Sequence, residues 1–417
     1  MHDIGVAVDI GTTTLVVSLL DINTSELVGD DARQLKYISS ASGVNAQRFY
    51  GADVITRINY CAKKGHEKLT DLIREQVAEL IKQAIEKYSD ESGLNRGDLH
   101  IRQITITGNT IMQHLAAGYS PVSMGTAPFT TYSLFGNKTS VWEELKGIAS
   151  RDAKIYYAPA ISAYVGGDVT TGLLAVERKL DILTTNPDVK TYLLIDIGTN
   201  GEMVLKHNGK YYCCATAAGP AFEGAHIKKG MAAISGAISH VVWNENANEL
   251  KLKVIGDTKP IGLCGSGLLD TLAYLVNCGK VDETGRLDAE KFYLTDNVYI
   301  TSEDVRKLQL AKAAIAAGGQ TLLKYVGITE EQVELLVLAG NFGTYLDKNS
   351  AAKIGLIPKN LVRVTHALGN TALEGAALTI SQQGSYEKLE EIRKKCQHVE
   401  LSTSNVFNEQ FIEQMMF

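Results

Sequence analysis

One short motif occurs twice in this sequence and constrains its fold more than any other feature. Residues 6–14 read Val-Ala-Val-Asp-Ile-Gly-Thr-Thr-Thr, and residues 193–201 read Leu-Leu-Ile-Asp-Ile-Gly-Thr-Asn-Gly. In both copies an apolar strand runs into Asp-Ile-Gly-Thr, and a second apolar strand follows, over residues 15–20 and 202–205. The repeat predicts two β-hairpins with the same polar turn, and hence two similar lobes that face one cleft.

Strand and helix patterns alternate through the rest of the chain. Apolar residues spaced three and four apart predict an amphipathic helix over residues 69–85. Further helices are predicted over 111–116, 163–177 and the small-residue stretch 369–382, and from a cap at Thr301 to about Val326. Residues 101–107 alternate like a strand, and the apolar run 335–338 predicts a buried one. This alternation predicts an α/β architecture in which helices pack on mixed sheets.

The composition excludes several classes of function. With 45% hydrophobic and 21% charged residues, the 417-residue chain is typical of a globular protein of two or three folding units. No apolar run approaches the roughly 20 residues of a bilayer span. The net charge is −6, and the short basic clusters at 228–229 and 393–395 provide no basic face for nucleic acid. The N-terminus reads as a strand and not as an export signal. We therefore expect a cytoplasmic protein that binds neither nucleic acid nor membrane.

The cysteines carry no metal-binding spacing. There is no C-x-x-C pair, and the spacings that hold iron–sulfur clusters do not occur. We expect reduced thiols and no iron–sulfur cluster in this chain, with Cys264 as a buried thiol. The six cysteines are Cys61, Cys213, Cys214, Cys264, Cys278 and Cys396.

The repeated turn has the chemistry of a phosphate site. Its glycine lets backbone N–H groups approach an anion, and its hydroxyls add donors. Asp9 and Asp196 carry the same sign of charge as phosphate, so their expected catalytic role is to hold Mg²⁺ through water or to orient an attacking water. Glu202 and Glu223 are further candidates for the same cleft. The predicted phosphate-binding residues are Gly11, Thr12, Thr13, Thr14, Gly198, Thr199 and Asn200.

Two further glycine-rich turns are candidates for the nucleoside. The strand at 335–338 ends in Ala339-Gly340, where small residues would let a base or ribose approach the backbone, so Gly340, Asn341 and Gly343 are predicted to bind it. Gly265 and Ser266, in the turn Gly262–Gly267, are predicted to contact the nucleotide as well. Helices rich in small residues near 159–167 and 369–377 can cross closely and slide, as a hinge between lobes requires.

Five of these elements follow one another along the chain: phosphate turn, small-residue helix, phosphate turn, nucleoside turn at 338–343, and small-residue helix. In this order they resemble the superfamily of acetate and sugar kinases, heat-shock chaperone ATPases and actin (ASKHA). The resemblance implies a two-lobed actin-like ATPase fold with ribonuclease H-like lobes, mixed sheets flanked by helices, and a nucleotide cleft between the lobes. It implies a first lobe at 1–178 and a second at 179–417, with the 369–382 helix crossing back toward the first. Ala158 stands where the chaperone ATPases have a glutamate, which leaves the water-orienting residue open and implies slow hydrolysis.

Several further blocks are similar to the C-terminal ATPase domain of the reductive activators of corrinoid proteins. That resemblance implies ATP and Mg²⁺ as cofactors, and a corrinoid protein of a methyltransferase system as the partner, whose Co(II) is returned to Co(I). Since the sequence starts close to the first hairpin, we expect the electron to come from a ferredoxin-like donor that is separate or missing here. The blocks are Asn45–Gln47, Gly51–Ile58, Thr107–Leu115, Val165–Asp168, Asp196–Glu202, Gly219–Gly224 and Gly262–Asp270.

Two other functions stay open at this stage. A small-molecule kinase acting on a sugar or a carboxylate would use the same cleft and would turn over ATP when its metabolite is present. A non-catalytic nucleotide-sensing module that binds a partner would bind the nucleotide in this cleft without hydrolysing it. The sequence leaves the oligomeric state open between a monomer and a homodimer.

Overall fold

The structure of the protein is a computed structural model that describes residues 2–22, 35–184, 186, 188–244 and 249–417. The chain divides into two compact units. Unit 1 comprises Met1–Leu180 and Asn370–His398, and unit 2 comprises Asp181–Gly369 and Val399–Phe417. The lobe limits of 1–178 and 179–417 stay a prediction.

Strands and helices alternate along the described chain, as the sequence predicts. The strands are β1 (His2–Ile10), β2 (Thr14–Asp21), β3 (Tyr37–Val44), β4 (Leu99–Gly108), β5 (Asn137–Ser140), β6 (Ala149–Tyr157), β7 (Thr191–Ile197), β8 (Gly201–His207), β9 (Lys210–Thr216), β10 (Ala237–Asn244), β11 (Glu249–Val254), β12 (Gly262–Leu263), β13 (Lys291–Tyr293), β14 (Tyr299–Thr301), β15 (Leu335–Ala339), β16 (Thr365–Gly369) and β17 (Cys396–His398). The helices are α1 (Val54–Lys64), α2 (Glu67–Ser92), α3 (Thr110–Ala117), α4 (Gly167–Leu183), α5 (Gly265–Asn277), α6 (Ser302–Val326), α7 (Gly340–Tyr345), α8 (Lys348–Lys353), α9 (Thr371–Ser381), α10 (Ser385–Lys395) and α11 (Asn405–Glu413).

Both units are built on a sheet with the same local topology. In unit 1 the strand order is β3-β2-β1-β4-β6-β5, with β1 antiparallel to β2 and parallel to β4. In unit 2 five strands follow the order β9-β8-β7-β15-β16, with β7 antiparallel to β8 and parallel to β15. The two predicted hairpins, β1–β2 and β7–β8, are therefore confirmed, and each supplies the central strand of its sheet.

Local sequence signals set most helix boundaries correctly. Thr301 and Asp304 form a reciprocal capping box at the start of α6, which ends at Val326 as predicted. The apolar positions of α2, among them Leu69, Ile73 and Val77, are fully buried against the sheet of unit 1. Capping and amphipathic spacing are local properties of the chain, so the sequence reveals them directly.

The predicted helical stretch that began near residue 159 is wrong at its start. Residues 159–166 form an irregular turn, in which the N–H groups of Ile161 and Ser162 both donate to the carbonyl oxygen of Val165, and α4 begins only at Gly167. The turn packs tightly, because a side chain at Gly166 would collide with the carbonyl oxygen of Gly108. A tertiary contact with β4 thus replaces the helix that the small residues favour.

No helix in the described ranges is both long enough and apolar enough to span a bilayer.

Candidate functional site

The first Asp-Ile-Gly-Thr turn is a tight four-residue connection. Ile10 pairs with Leu15, so residues 11–14 lie between them, and the N–H of Gly11 donates to the carbonyl oxygen of Thr14 over 3.0 Å. A Cβ atom at Gly11 would lie only 2.6 Å from that oxygen, which explains the glycine. The backbone of the turn is therefore fixed from within by its own hydrogen bond.

Two residues outside the turn hold its carbonyl groups. Asn45 Nδ2 donates to the carbonyl oxygen of Gly11 over 2.9 Å, and the N–H of Asn45 donates to that of Thr13 over 2.8 Å. Arg57 Nη2 donates to the carbonyl oxygen of Thr12 over 2.6 Å. Both residues are fully buried. The sequence blocks Asn45–Gln47 and Gly51–Ile58 resemble the activator family, but the sequence alone assigns them no role. In the structure they hold the turn in place.

Asp9 lies at the end of β1, beside the N-terminus of α9. Its Oδ2 accepts a 2.6 Å hydrogen bond from Asn370 Nδ2, while Asn370 Oδ1 accepts the N–H of Leu373 over 2.8 Å and so caps α9. Burial raises the pKa of Asp9 to about 6, and the bond from Asn370 opposes part of this shift. The carboxylate is ionised at neutral pH at a free-energy cost, which a bound cation would offset.

The helices α4 and α9 touch within unit 1. A side chain at Gly375 of α9 would collide with the carbonyl oxygen of Thr171 in α4. Lys179 Nζ also donates to Glu374 Oε2 over 2.6 Å between the two helices. The close contact with α9 thus falls at Thr171 of α4 and not at residues 159–167, where the sequence predicts it. Sliding of the helices stays a prediction.

The second Asp-Ile-Gly-Thr turn is one residue shorter than the first. Ile197 pairs with Gly201, and the N–H of Gly198 donates to the carbonyl oxygen of Asn200 over 3.0 Å. The hydroxyl of Thr199 donates to Glu223 Oε1 over 3.0 Å, so a carboxylate supports this turn. Glu223 ends a short 3-10 helix, Pro220–Glu223. This helix lies in the block Gly219–Gly224, which resembles the activator family.

Asp196 and Glu202 face each other across the second hairpin. They are directly paired residues of antiparallel strands, so their side chains project from the same face of the sheet. Two like charges in this arrangement repel each other, and a cation between or beside them relieves the repulsion. The described residues contain no cluster of three or more His, Cys, Asp or Glu with the arrangement of a metal cage. The water-mediated Mg²⁺ role of Asp9 and Asp196 therefore stays a prediction.

The predicted adenosine turn lies against Asp196. Gly340 opens α7 with a φ of +85°, a conformation that glycine adopts readily and that other residues avoid. A Cβ atom at this position would lie 2.6 Å from Asp196 Oδ1. Gly343 lies one turn further along α7, and the side chain of Asn341 is outside what the structure describes.

The glycine-rich turn before α5 contacts the predicted adenosine turn, because Gly265 lies against Phe342 of α7. A side chain at Gly265 would collide with the carbonyl oxygen of Phe222 and with the ring of Phe342. These two rings stack with their centroids 5.0 Å apart. The hydroxyl of Ser266 donates to the carbonyl oxygen of Ser239 over 2.8 Å. The structure thus brings residues of three separate sequence blocks of unit 2 together around two stacked rings.

Cys264 is a buried thiol, as expected. It is 3% exposed, precedes α5, and its Sγ donates to the carbonyl oxygen of Ile238 over 3.4 Å.

The residues that sequence reasoning missed are Asn45, Arg57 and Asn370. Each contacts a candidate site residue through a hydrogen bond that joins distant parts of the chain, across 34, 45 and 361 positions respectively. The only available signals were the block around Asn45 and Arg57 and the position of Asn370 directly before a helix.

Two α/β units with matching strand order, each with an Asp-Ile-Gly-Thr hairpin at its centre, define the actin-like ATPase fold of acetate and sugar kinases, heat-shock chaperones and actin. Comparison with protein families narrows this class. Residues 4–180 match the RACo middle region, and residues 190–417 match the C-terminal domain of RACo, the ASKHA domain. This chain belongs to the RACo family.

Similar proteins are named for work on corrinoid proteins. The corrinoid activation enzyme RamQ of Eubacterium limosum is 34% identical over 449 residues, which cover 99% of this chain and 70% of RamQ. A Methanosarcina barkeri reductase of the Co(II) methylated amine-specific corrinoid protein is 26% identical over 447 residues, which cover 99% of this chain and 77% of the reductase.

A solved structure has the same fold over almost the whole chain. It is the reductive activator for a corrinoid, iron-sulfur protein, with a TM-score of 0.83 and 33% identity. The match covers 99% of this chain and 66% of the activator, so this chain spans just under two thirds of that protein.

Proposed function

We propose that this chain is the ATP-binding and partner-binding part of a reductive activator of a corrinoid protein. The observation that carries the proposal is the pair of Asp-Ile-Gly-Thr hairpins at equivalent places in two units of a RACo-family chain. The names of its relatives indicate the partner class, a corrinoid protein with cobalt in the Co(II) state.

In this proposal the two turns bind the phosphates of ATP. Residues 11–14 and 198–200 offer backbone N–H groups and threonine hydroxyls, the donors that phosphate oxygens accept. The fixed backbone supports this role, because a turn whose carbonyl oxygens already accept hydrogen bonds needs little rearrangement when an anion arrives.

Asp9 and Asp196 hold hydrated Mg²⁺ in this proposal, with Glu202 opposite Asp196. The raised pKa of Asp9 and the facing pair of carboxylates both fit a cation. Mg²⁺-ATP supplies the free energy of hydrolysis when bound. The residues of the chain bind and orient it and keep their carboxylates ionised.

The nucleoside end is assigned to unit 2. Gly340 and Gly265 keep this region free of side chains, since a Cβ atom at Gly340 would lie 2.6 Å from Asp196 Oδ1 and one at Gly265 would collide with Phe222 and Phe342. Gly343 lies one turn along α7 from Gly340. Ser266 supports the start of α5 through its bond to Ser239. Phe222 is buried and supports the half-buried ring of Phe342, which is the apolar surface that this region offers to a flat base.

The proposed reaction transfers one electron. A reduced ferredoxin-like iron–sulfur centre, separate from the residues of this chain, gives one electron to Co(II) of the corrinoid protein, which becomes Co(I). ATP and water become ADP and phosphate in the same cycle. Because reduction to Co(I) is strongly uphill, binding that depends on the nucleotide state must supply the missing free energy. We assign this cycle to the cytoplasm, where ATP and reduced donors meet.

The direct test is reconstitution with purified components. The protein, a reduced low-potential iron–sulfur donor, Mg²⁺-ATP and a Co(II) corrinoid protein are mixed without oxygen, and the absorbance of Co(I) is followed. We expect Co(I) to accumulate only when both ATP and the protein are present. Absence of Co(I) with every donor tested, including a titanium(III) reductant, would contradict the proposal.

ATP turnover separates this function from a kinase. Phosphate release should be slow for the protein alone and should rise when the Co(II) corrinoid protein is added. A panel of sugars and carboxylates should leave it unchanged. Stimulation by a metabolite, with a phosphorylated product, would favour the small-molecule kinase.

A further inference from the structure

We propose that Arg57 is the fixed positive charge behind the first phosphate turn, and that it makes residues 11–14 select ligands that carry a phosphoryl anion. Arg57 acts through the peptide of Thr12, so it is a positioning residue and does not take part in catalysis. The inference rests on the proposed function, because it requires a nucleotide at this turn.

Every nitrogen of the Arg57 guanidinium donates to an uncharged acceptor. Nη2 donates to the carbonyl oxygen of Thr12, and Nε donates to that of Gly51 over 3.0 Å. Nη1 donates to Gln47 Oε1 over 3.1 Å and to Met112 Sδ over 3.0 Å. Among the residues that the structure describes, no carboxylate forms an ion pair with Arg57.

The charge is buried and still present. Arg57 is 0% exposed, and its burial lowers the pKa to about 10, against an opposing influence of the Asp53 carboxylate on the same helix. The guanidinium is therefore protonated at neutral pH. Burying a cation without a paired anion costs free energy, so a fold that only needed these four hydrogen bonds would gain from neutral donors. An anionic ligand at the turn offsets this cost.

The geometry of the peptide group directs the turn outward. In a trans peptide the carbonyl and the following N–H point in opposite directions. Anchoring the carbonyl of Thr12 to Arg57 therefore aims the N–H of Thr13 away from Arg57. The bond from Asn45 to the carbonyl of Gly11 does the same for the N–H of Thr12. Consecutive N–H groups with a cation behind them attract an anion.

A purely structural role for Arg57 makes a different prediction. In that case the arginine only ties residues 47 and 51 to the turn, and its loss weakens the binding of every ligand of the site equally. The test must therefore neutralise the charge while the guanidinium and its bonds stay in place.

Gln47→Glu provides this neutralisation. Gln47 is fully buried, its Oε1 accepts from Arg57 Nη1, and its Nε2 donates to the carbonyl oxygen of Leu69 over 2.8 Å. A glutamate here has nearly the same shape and pairs with Arg57, but it loses the bond to the carbonyl oxygen of Leu69, because a carboxylate cannot donate. Gln309→Glu is the matched control in unit 2, because Gln309 is also buried, its Oε1 accepts from Arg306 Nη1 over 2.5 Å, and its Nε2 donates to the carbonyl oxygen of Thr284.

The experiment measures the binding of ATP, ADP and adenosine to the full chain by competition against a fluorescent ATP analogue. We expect Gln47→Glu to weaken ATP about tenfold, ADP less, and adenosine less than about twofold. Gln309→Glu should leave all three affinities within about twofold of the unmodified protein.

Substitutions of Arg57 give an independent check. Arg57→Lys keeps the charge with fewer hydrogen bonds, so it should retain more of the ATP-to-adenosine preference than Arg57→Met. An unchanged preference in Gln47→Glu, or an equal loss for ATP and adenosine, overturns the inference even though the unmodified protein binds ATP. Failure of the unmodified protein to bind ATP would instead overturn the proposed function.

Discussion

The two Asp-Ile-Gly-Thr hairpins have almost the same sequence, and they lie in opposite electrostatic surroundings. The turn at 11–14 is held by the amide of Asn45 and the cation of Arg57. The turn at 198–200 is held by the carboxylate of Glu223, and Glu202 faces Asp196 on the next strand. The position that faces Asp9 in the first hairpin is Val16, which carries no charge.

The difference shows that the motif and its surroundings have separate effects. Asp-Ile-Gly-Thr determines a strand, a tight turn and an acid at the same backbone position in both units. The neighbours determine the charge beside each turn: a guanidinium contacts the first, and two further carboxylates lie at the second.

The largest effect is expected from Asp196→Asn. Removal of one of two facing carboxylates should lower Mg²⁺-dependent ATP hydrolysis roughly 1,000-fold, because the charge that holds the hydrated ion is lost. The measurement is phosphate release over a range of Mg²⁺ concentrations. Glu202→Gln should mainly raise the Mg²⁺ concentration that gives half-maximal hydrolysis, by about tenfold. If Asp196→Asn hydrolyses ATP at close to the normal rate, the facing carboxylates Asp196 and Glu202 do not give the second hairpin a role that the first hairpin lacks.

Gly340→Ala tests the packing of the second hairpin. The substitution forces a side chain into a left-handed conformation and against Asp196, so we expect a loss of about 2–4 kcal/mol in the free energy of unfolding. Chemical denaturation measures this loss.

Gly327→Ala is the matched control for backbone strain. Gly327 follows the end of α6 and also has a positive φ, of +78°, but no atom of the described residues lies within 4 Å of the place that an added Cβ would occupy. Its cost should be about 1 kcal/mol. If both variants lose the same free energy of unfolding, the contact between residue 340 and Asp196 does not contribute to the loss in Gly340→Ala.

The sequence predicts the short-range features of these hairpins and misses the contacts that join residues far apart in the chain. The Asp, Gly and Thr positions of each turn, the capping box at Thr301, and the small residues of α9 are all short-range patterns. Asn370 cannot be connected with Asp9 from the sequence, because 361 positions separate them and the bond exists only after the sheet and α9 pack. The wrong helix start near residue 159 has the same cause, since contact with β4 decides it.

Asp9→Asn should stabilise the protein without nucleotide at neutral pH. The folded pKa of Asp9 is about 6, against 3.8 as the ordinary value, so the folded state binds the proton more tightly. The stability contributed by protonated Asp9 is present below pH 3.8 and is lost as the pH rises to about 6. Asparagine avoids this loss, and we expect a gain of about 1–3 kcal/mol at pH 7 and none near pH 4. Thermal denaturation at both pH values measures it, and a gain that does not depend on pH would contradict this explanation.

Asn370→Ala should have the smallest effect. It removes the cap of α9, at a cost of about 1 kcal/mol, and the hydrogen bond that lowers the pKa of Asp9, which should therefore rise further. NMR titration of the Asp9 carboxyl carbon measures the pKa. Asn370→Asp keeps the cap and places a second carboxylate beside Asp9, so its pKa should rise while the helix stays capped. An unchanged pKa in both variants would contradict the contact.

The partner of Asp9, Asn370, is synthesised 361 residues after it. Unit 1 needs Asn370–His398 for completion, and Ala376 and Ala377 of α9 cover Ala7 and Leu20 of the first hairpin. At roughly 5–20 residues per second, a ribosome reaches Asn370 about 20–70 seconds after Asp9. During that interval the first hairpin of a nascent chain has an uncovered apolar face. Cellular chaperones therefore have time to bind it before α9 arrives, and a slow codon run before residue 370 would lengthen that exposure.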